Sequence, residues 1–196
     1  VESIQRGRKC ERSDVEAATV RQRNHLAISR QHDQPTAAKV EASPTHERAH
    51  TRFAVLQEVH SEIDPDASGS TLSNLEISGG YYYALFLQTD WDSTSNPTGH
   101  GASNILIEDC RIHDSGRDAI KITPKSNDVT IRRCEIDHSG RRYPPGTPLD
   151  DMNAEGIDNV NGSRMRVADS HIHDTATTGL YFKGGASDVV VERNRI

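Results

Sequence analysis

Little in this sequence suits a compact globule: 33% of its 196 residues are hydrophobic and 5% aromatic, with a single tryptophan and two methionines. A core of that size fills a thin column rather than a sphere. No apolar run approaches ~18 residues, which excludes a membrane-spanning helix. The N-terminus carries no signal-peptide pattern, only polar and basic residues. The chain therefore reads as intracellular, as a piece of a longer protein, or as a form whose signal has been removed. Basic residues are not in excess, the formal net charge being −6, so nucleic acid is not expected as a partner. Three cysteines without a Cys-x-x-Cys pair give no signature of a thiolate zinc site. A Ser-His-Asp order and a phosphate-binding loop are missing as well.

Glycine and aromatic residues nearly vanish from positions 1–60: Gly7 alone of 14 glycines and Phe53 alone of nine aromatics lie there. Residues 21–30 and Phe53-Ala54-Val55-Leu56 have the makings of a helical turn or two, with too little apolar surface to fold alone. Positions 1–60 read as an irregular or disordered leader, as a helical cap on whatever follows, or as a stretch whose natural reading frame differs.

What the remainder does contain is a repeat. Ile105-Leu106-Ile107-Glu108-Asp109-Cys110-Arg111-Ile112-His113-Asp114 returns as Val129-Thr130-Ile131-Arg132-Arg133-Cys134-Glu135-Ile136-Asp137-His138. It returns again from Met165 to Asp174 and begins once more at Val189. The equivalent positions Ile77, Ile112, Ile136, Ile172 and Ile196 are 35, 24, 36 and 24 residues apart. The unit is therefore 24 residues, with insertions of 11 residues within 88–101, which reads as a loop, and of 12 at 141–152, whose three prolines argue against regular structure. A fixed period of this size means stacked units, none able to bury its apolar face alone. Apolar residues alternate within each unit, and Gly, Asn, Asp and Ser separate the runs, the pattern of short strands and tight turns. No stretch sustains a helical stripe. Cys110 and Cys134 fall in one column with Leu75, Ser170 and Asn194, and are expected as buried free thiols.

The repeat resembles the right-handed parallel β-helix of pectate-lyase-like proteins. The expected fold is all-β: a right-handed, single-stranded parallel β-helix of about 24 residues per coil over 61–196. Its last copy stops halfway round a coil, so the solenoid reads as truncated there. The resemblance implies an extracellular or periplasmic protein, with a polysaccharide or glycan as partner.

Both insertions border one sheet, built from 83–88, 118–123, 155–160 and 178–183, and two walls beside a sheet make a groove fit for a linear polymer. Alternation places Tyr83, Asp118, Glu155 and Thr178 in one outward column and Phe86, Lys121, Asp158 and Tyr181 in the next. Stacked Asp118 and Glu155, about 5 Å apart, repel unless a cation or proton lies between them. With Asn153 or Asn159 nearby they are candidate Ca²⁺ ligands. The bland alternative makes Lys121–Asp158 an ion pair on a solvated face. Trp91, Tyr181 and Tyr143, with Arg142 and Lys183, are candidate substrate contacts, or else pack beneath the insertions.

Ile122-Thr123-Pro124-Lys125-Ser126 is similar to the Lys-Ser element of β-helical alginate and chondroitin lyases. That similarity implies Lys125 as catalytic base, with Lys121 and Asp158 as further catalytic candidates, for β-elimination or C5 epimerisation at uronic acids. Where that family brings an arginine from a following coil, this chain has Asp158 and Asn159. Hydrolysis would instead use Asp118, Glu155 and Asp158, and a non-catalytic glycan-binding module is the alternative to an enzyme. His113, Asp137 and His173, flanked by Asp114, His138 and Asp174, read as structural turn residues away from the groove.

Overall fold

The computed structural model describes residues 54–56, 61–91 and 97–196. Three parallel five-stranded sheets wind around one apolar column. Numbered in chain order, sheet A contains β3 (Thr71–Ser73), β8 (Ile105–Glu108), β11 (Val129–Arg132), β14 (Arg166–Ala168) and β17 (Val190–Glu192). Sheet B contains β1 (Ala54–Leu56), β4 (Leu75–Ser78), β9 (Arg111–His113), β12 (Glu135–Asp137) and β15 (His171–His173). Sheet C contains β2 (Ser61–Ile63), β5 (Leu85–Leu87), β10 (Ile120–Ile122), β13 (Ile157–Val160) and β16 (Leu180–Lys183). Each coil passes through C, A and B in turn, so every strand pairs with its counterpart one coil away. Among the described residues no helix is long and apolar enough to cross a membrane.

The register matches the repeat. Leu72, Ile107, Ile131, Val167 and Val191 stack in sheet A; Ile77, Ile112, Ile136 and Ile172 in sheet B; Leu85, Ile120, Ile157 and Leu180 in sheet C. Isoleucine and valine suit these positions because their branched side chains fill a pleated surface without losing much rotamer freedom. Cys110 and Cys134 are both buried and unbonded. They donate to the carbonyls of Glu108 and Arg132 at 3.1 and 3.3 Å. Their column continues through Ser170, whose hydroxyl accepts from the Cys134 amide at 3.1 Å, and Asn194, whose carbonyl accepts from the Ser170 amide at 2.9 Å.

Tight corners require left-handed backbone, which Asn and Asp tolerate best and Arg and His adopt here as well. Asn74, Asp109, Arg133, Asp169 and Arg193 take φ of 53–57° between sheets A and B; Asp114, His138 and Asp174 take 51–56° after sheet B. The histidine and aspartates of that second corner are turn residues, as their spacing indicates.

Three elements differ from the sequence reading. Ala54–Leu56 is not a helical turn: it is strand β1, pairing in parallel with β4. The rest of the leader, including the candidate turn at 21–30, lies outside the described residues. The first insertion is not a plain loop, because β6 (Thr89–Trp91) and β7 (Pro97–Gly101) form an antiparallel hairpin. A Cβ on Gly101 would sit 2.2 Å from the Ser126 amide, so glycine there lets the hairpin root against the following coil. The second insertion, despite its prolines, holds one 3₁₀ turn at Leu149–Asp151; the turn starts after Pro148, whose fixed φ suits a helical entry.

Candidate functional site

Sheet C carries a buried charge cluster on its outer face. The register sets Phe86, Lys121, Asp158 and Tyr181 side by side across β5, β10, β13 and β16. Asp118 and Glu155 precede β10 and β13 and meet in the neighbouring column. Oxygens of Asp118, Glu155 and Asp158 lie within 4.8 Å of one another. Asp118 and Asp158 are fully buried and Glu155 is 6% exposed, so this is not the solvated ion pair that alternation alone allows.

Two lysines enter the cluster. The Lys121 ammonium hydrogen-bonds Asp158 Oδ2 and stands 3.4 Å from Asp118 Oδ2. Lys183 Nζ reaches the same Asp158 oxygen at 2.9 Å. Asp118 further accepts from Asn153 Nδ2 at 2.9 and 3.1 Å and from the Glu155 amide at 3.1 Å. Despite these donors, burial and a hydrogen bond shared with the Glu155 carboxyl push the Asp118 pKa to about 8. Burial works against the Lys121 ammonium, but Asp118 and the bond to Asp158 more than offset it, and its pKa rises above the ordinary lysine value. Three carboxyl groups face two ammoniums, and a proton on Asp118 settles the excess charge. Glu155 Oε2 and Asp158 Oδ1 are buried without a hydrogen-bond partner.

Aromatic and guanidinium groups wall one end of the cluster. Tyr83 packs on Phe86 with ring centres 5.1 Å apart, and Lys121 lies 5.7 Å from the Tyr83 ring centre. The Arg142 guanidinium sits 4.2 Å from the Tyr81 ring centre, 5.0 Å from that of Tyr82 and 5.8 Å from that of Tyr143. Arg117 covers the Tyr82 ring at 4.9 Å. The Tyr143 hydroxyl accepts from the Asn153 amide at 3.0 Å, so the second insertion braces the residue that holds Asp118. Tyr81 and Tyr82, 63% and 42% exposed, are the most exposed aromatic side chains of this wall. The sequence reading passed over them, although three consecutive tyrosines in a chain poor in aromatics were a visible signal.

The sequence-derived candidates separate into two places. Lys121, Asp158, Asp118, Glu155 and Lys183 come together, with Tyr181 beside them: its ring is half-exposed and 4.7 Å from Lys183 Nζ. Arg142 and Tyr143 form the wall. Lys125 is elsewhere, lining a polar pocket of about 350 Å³ with Asp66, Asp90, His100 and Asn127. The hairpin bounds that pocket and no residue of the second insertion lines it. Trp91 belongs to β6, and its side chain lies outside the described residues. Asn159 is not in the groove: it is buried, donating to the Gly162 carbonyl at 3.0 Å and accepting from the Gly162 amide at 2.8 Å.

Hard carboxylate oxygens are the right donors for Ca²⁺, which takes six to eight of them. The donor set here fits it poorly. Lys121 already stands between Asp118 and Asp158, and Lys183 on Asp158, so a divalent ion would sit against two ammoniums.

The corners at the two ends of sheet A offer a contrast. Their ladders, Arg133 on Asp109, Arg164 on Asp128 and Arg193 on Asp169, are exposed pairs at 2.6–2.8 Å. Such ladders decorate a solenoid at small cost, whereas burying three carboxylates costs stability and concentrates at functional sites.

Comparison with known proteins adds the fold family. No curated protein and no solved structure matches the chain. The family model described as a right handed beta helix region matches residues 63–196. That span runs from the end of β2 through all the later strands, well over half of the chain, and the chain belongs to the right-handed β-helix family.

Proposed function

We propose that this protein is carbohydrate-active, cleaving an acidic polysaccharide by proton transfer from the Asp118–Glu155 carboxyl pair on the outer face of sheet C. The carrying observation is the buried cluster itself, in which burial holds a proton on Asp118 while two ammoniums pair with Asp158. A carboxyl kept protonated by its surroundings is a ready proton donor. Glu155, the most exposed of the three, meets the glycosidic oxygen, and Asp118 behind it shares the proton. The carboxyl oxygens lie within 4.8 Å of one another, the close spacing of a retaining pair. Asp158 Oδ1, free of hydrogen bonds, therefore attacks the sugar as the glycosidic oxygen leaves with the proton, and a water deprotonated by Glu155 then releases the sugar. Tyr81 and Tyr82 offer faces on which sugar rings stack, and Arg142 offers a cation to an acidic sugar. No step passes through calcium.

Elimination or epimerisation needs a neutral lysine. Lys121 is held charged by its bond to Asp158, so in this cluster hydrolysis is favoured over both. A lysine-based elimination would run instead at Lys125, in the pocket beside the hairpin. The test is incubation with alginate, pectate and chondroitin, following new reducing ends and the ultraviolet absorbance of unsaturated sugars. Hydrolysis yields reducing ends alone, indifferent to added Ca²⁺ and reduced ~100-fold or more by Glu155→Gln. An unsaturated product lost in Lys125→Ala moves the chemistry to the other pocket. Binding without turnover makes the protein a glycan-binding module.

A further inference from the structure

We propose that sheet B carries a second site, unrelated to the groove: a zinc-type transition-metal site formed by Glu135, His171 and His173. On β15, His171 and His173 are two residues apart, so both imidazoles emerge on the outer face while Ile172 between them is buried. One coil away, β12 sets Glu135 in register with His171. One carboxylate oxygen and one nitrogen from each ring lie within 4.8 Å of one another. The imidazoles stack, with centres 4.0 Å apart and planes inclined by 28°.

The orientation of His173 is already that of a ligand. Its Nδ1 bonds Asp174 Oδ2 at 2.8 Å, which leaves Nε2 facing Glu135 Oε1 at 3.3 Å. A carboxylate behind a histidine fixes the tautomer and raises the basicity of the opposite nitrogen, the arrangement that supports metal-bound imidazole. Both rings are half-buried and Glu135 is exposed, so the ion keeps a face open to water. Two imidazoles with one carboxylate suit Zn²⁺ and its first-row neighbours and exclude Ca²⁺ and Mg²⁺. The charges around the site leave Glu135 available. Arg111 Nε is 3.7 Å from Glu135 Oε2 but makes its close bonds, 3.1 and 3.2 Å, to Asp137. Arg195 pairs with His171 through the backbone.

An earlier coil provides an internal control. Two coils back, on β9, His113 repeats His173, with Asp114 on Nδ1 at 2.7 Å and Glu76 on Nε2 at 3.0 Å. The position equivalent to His171 on that strand is Arg111. Among the described strands of sheet B, β15 alone carries two imidazoles.

The metal-stripped protein should be titrated with Zn²⁺ by calorimetry, and with Co²⁺ by visible absorption. Five of the ten histidines precede residue 61 and add background sites, so variants are read against the parent. His171→Ala and His173→Ala should each lose one equivalent of Zn²⁺ and the matching Co²⁺ bands, with circular dichroism melts unchanged in metal-free buffer. Glu135→Gln and Asp174→Asn should weaken that equivalent about 10–100-fold, and His113→Ala should leave it intact. Equal stoichiometry in the parent and His171→Ala, or an equal loss in His113→Ala, overturns the site.

Discussion

At Asp118 the chemistry is set by what surrounds a single carboxyl group. Its pKa of about 8 means the folded protein holds a proton that the unfolded chain releases near pH 4. Between those values the folded state binds more protons than the unfolded one, so this group's contribution to stability falls as pH rises. Asp118→Asn removes the titration and keeps the shape. Melts of both proteins at about pH 5 and about pH 9 should show the parent losing more stability than the variant; parallel losses would mean Asp118 is ionised throughout. Alternation along β10 and β13 made Lys121, Asp158 and their neighbours legible as outward residues. Their burial was not, because the cover comes from tyrosines one coil earlier and from an insertion whose path a 24-residue period does not describe. Asn159 was misplaced for a similar reason: its strand continues to Val160, and the side chain turns in to cap the 159–162 corner.

Elements, rather than residues, decide how the walls stand. The hairpin β6–β7 was unreadable as strands because proline opens its second arm, and proline is tolerated only on an edge. β1 was missed because three residues in a polar leader carry no period of their own; sheet B imposes the strand. The opposite wall depends on Gly116, whose amide donates to the Gly80 carbonyl at 2.9 Å. A Cβ at Gly116 would fall 2.0 Å from the Tyr81 carbonyl oxygen, so Gly116→Ala must push the tyrosine segment off the coil. It should cost on the order of 2 kcal/mol in melting experiments and speed proteolysis near the tyrosines, while leaving zinc binding on sheet B untouched. An unchanged melt would place the tyrosine wall outside the folded unit.

Across the whole molecule, stability passes from each coil to its neighbours, because a coil buries its apolar edge only against the next one. The column of Ile112, Ile136 and Ile172 was the most legible feature of the sequence, since one residue type recurs where one environment recurs. Ile136 is fully buried mid-column, with register partners on both sides. Ile136→Asp would put a carboxylate where no donor reaches and separate two coils, a loss of several kcal/mol. Two residues later, His138 sits at the turn with φ of 52°, its ring on Asp137, which keeps its bonds to Arg111 if the ring is removed. His138→Ala should therefore cost about 1 kcal/mol or less. Because coupling runs through nearest neighbours, Ile136→Asp should also broaden the melt and expose the coils on either side to hydrogen exchange before the outer ones. Equal melts for the two variants would contradict the stacking register, and a uniform rise in exchange would mean the solenoid unfolds as one block rather than coil by coil.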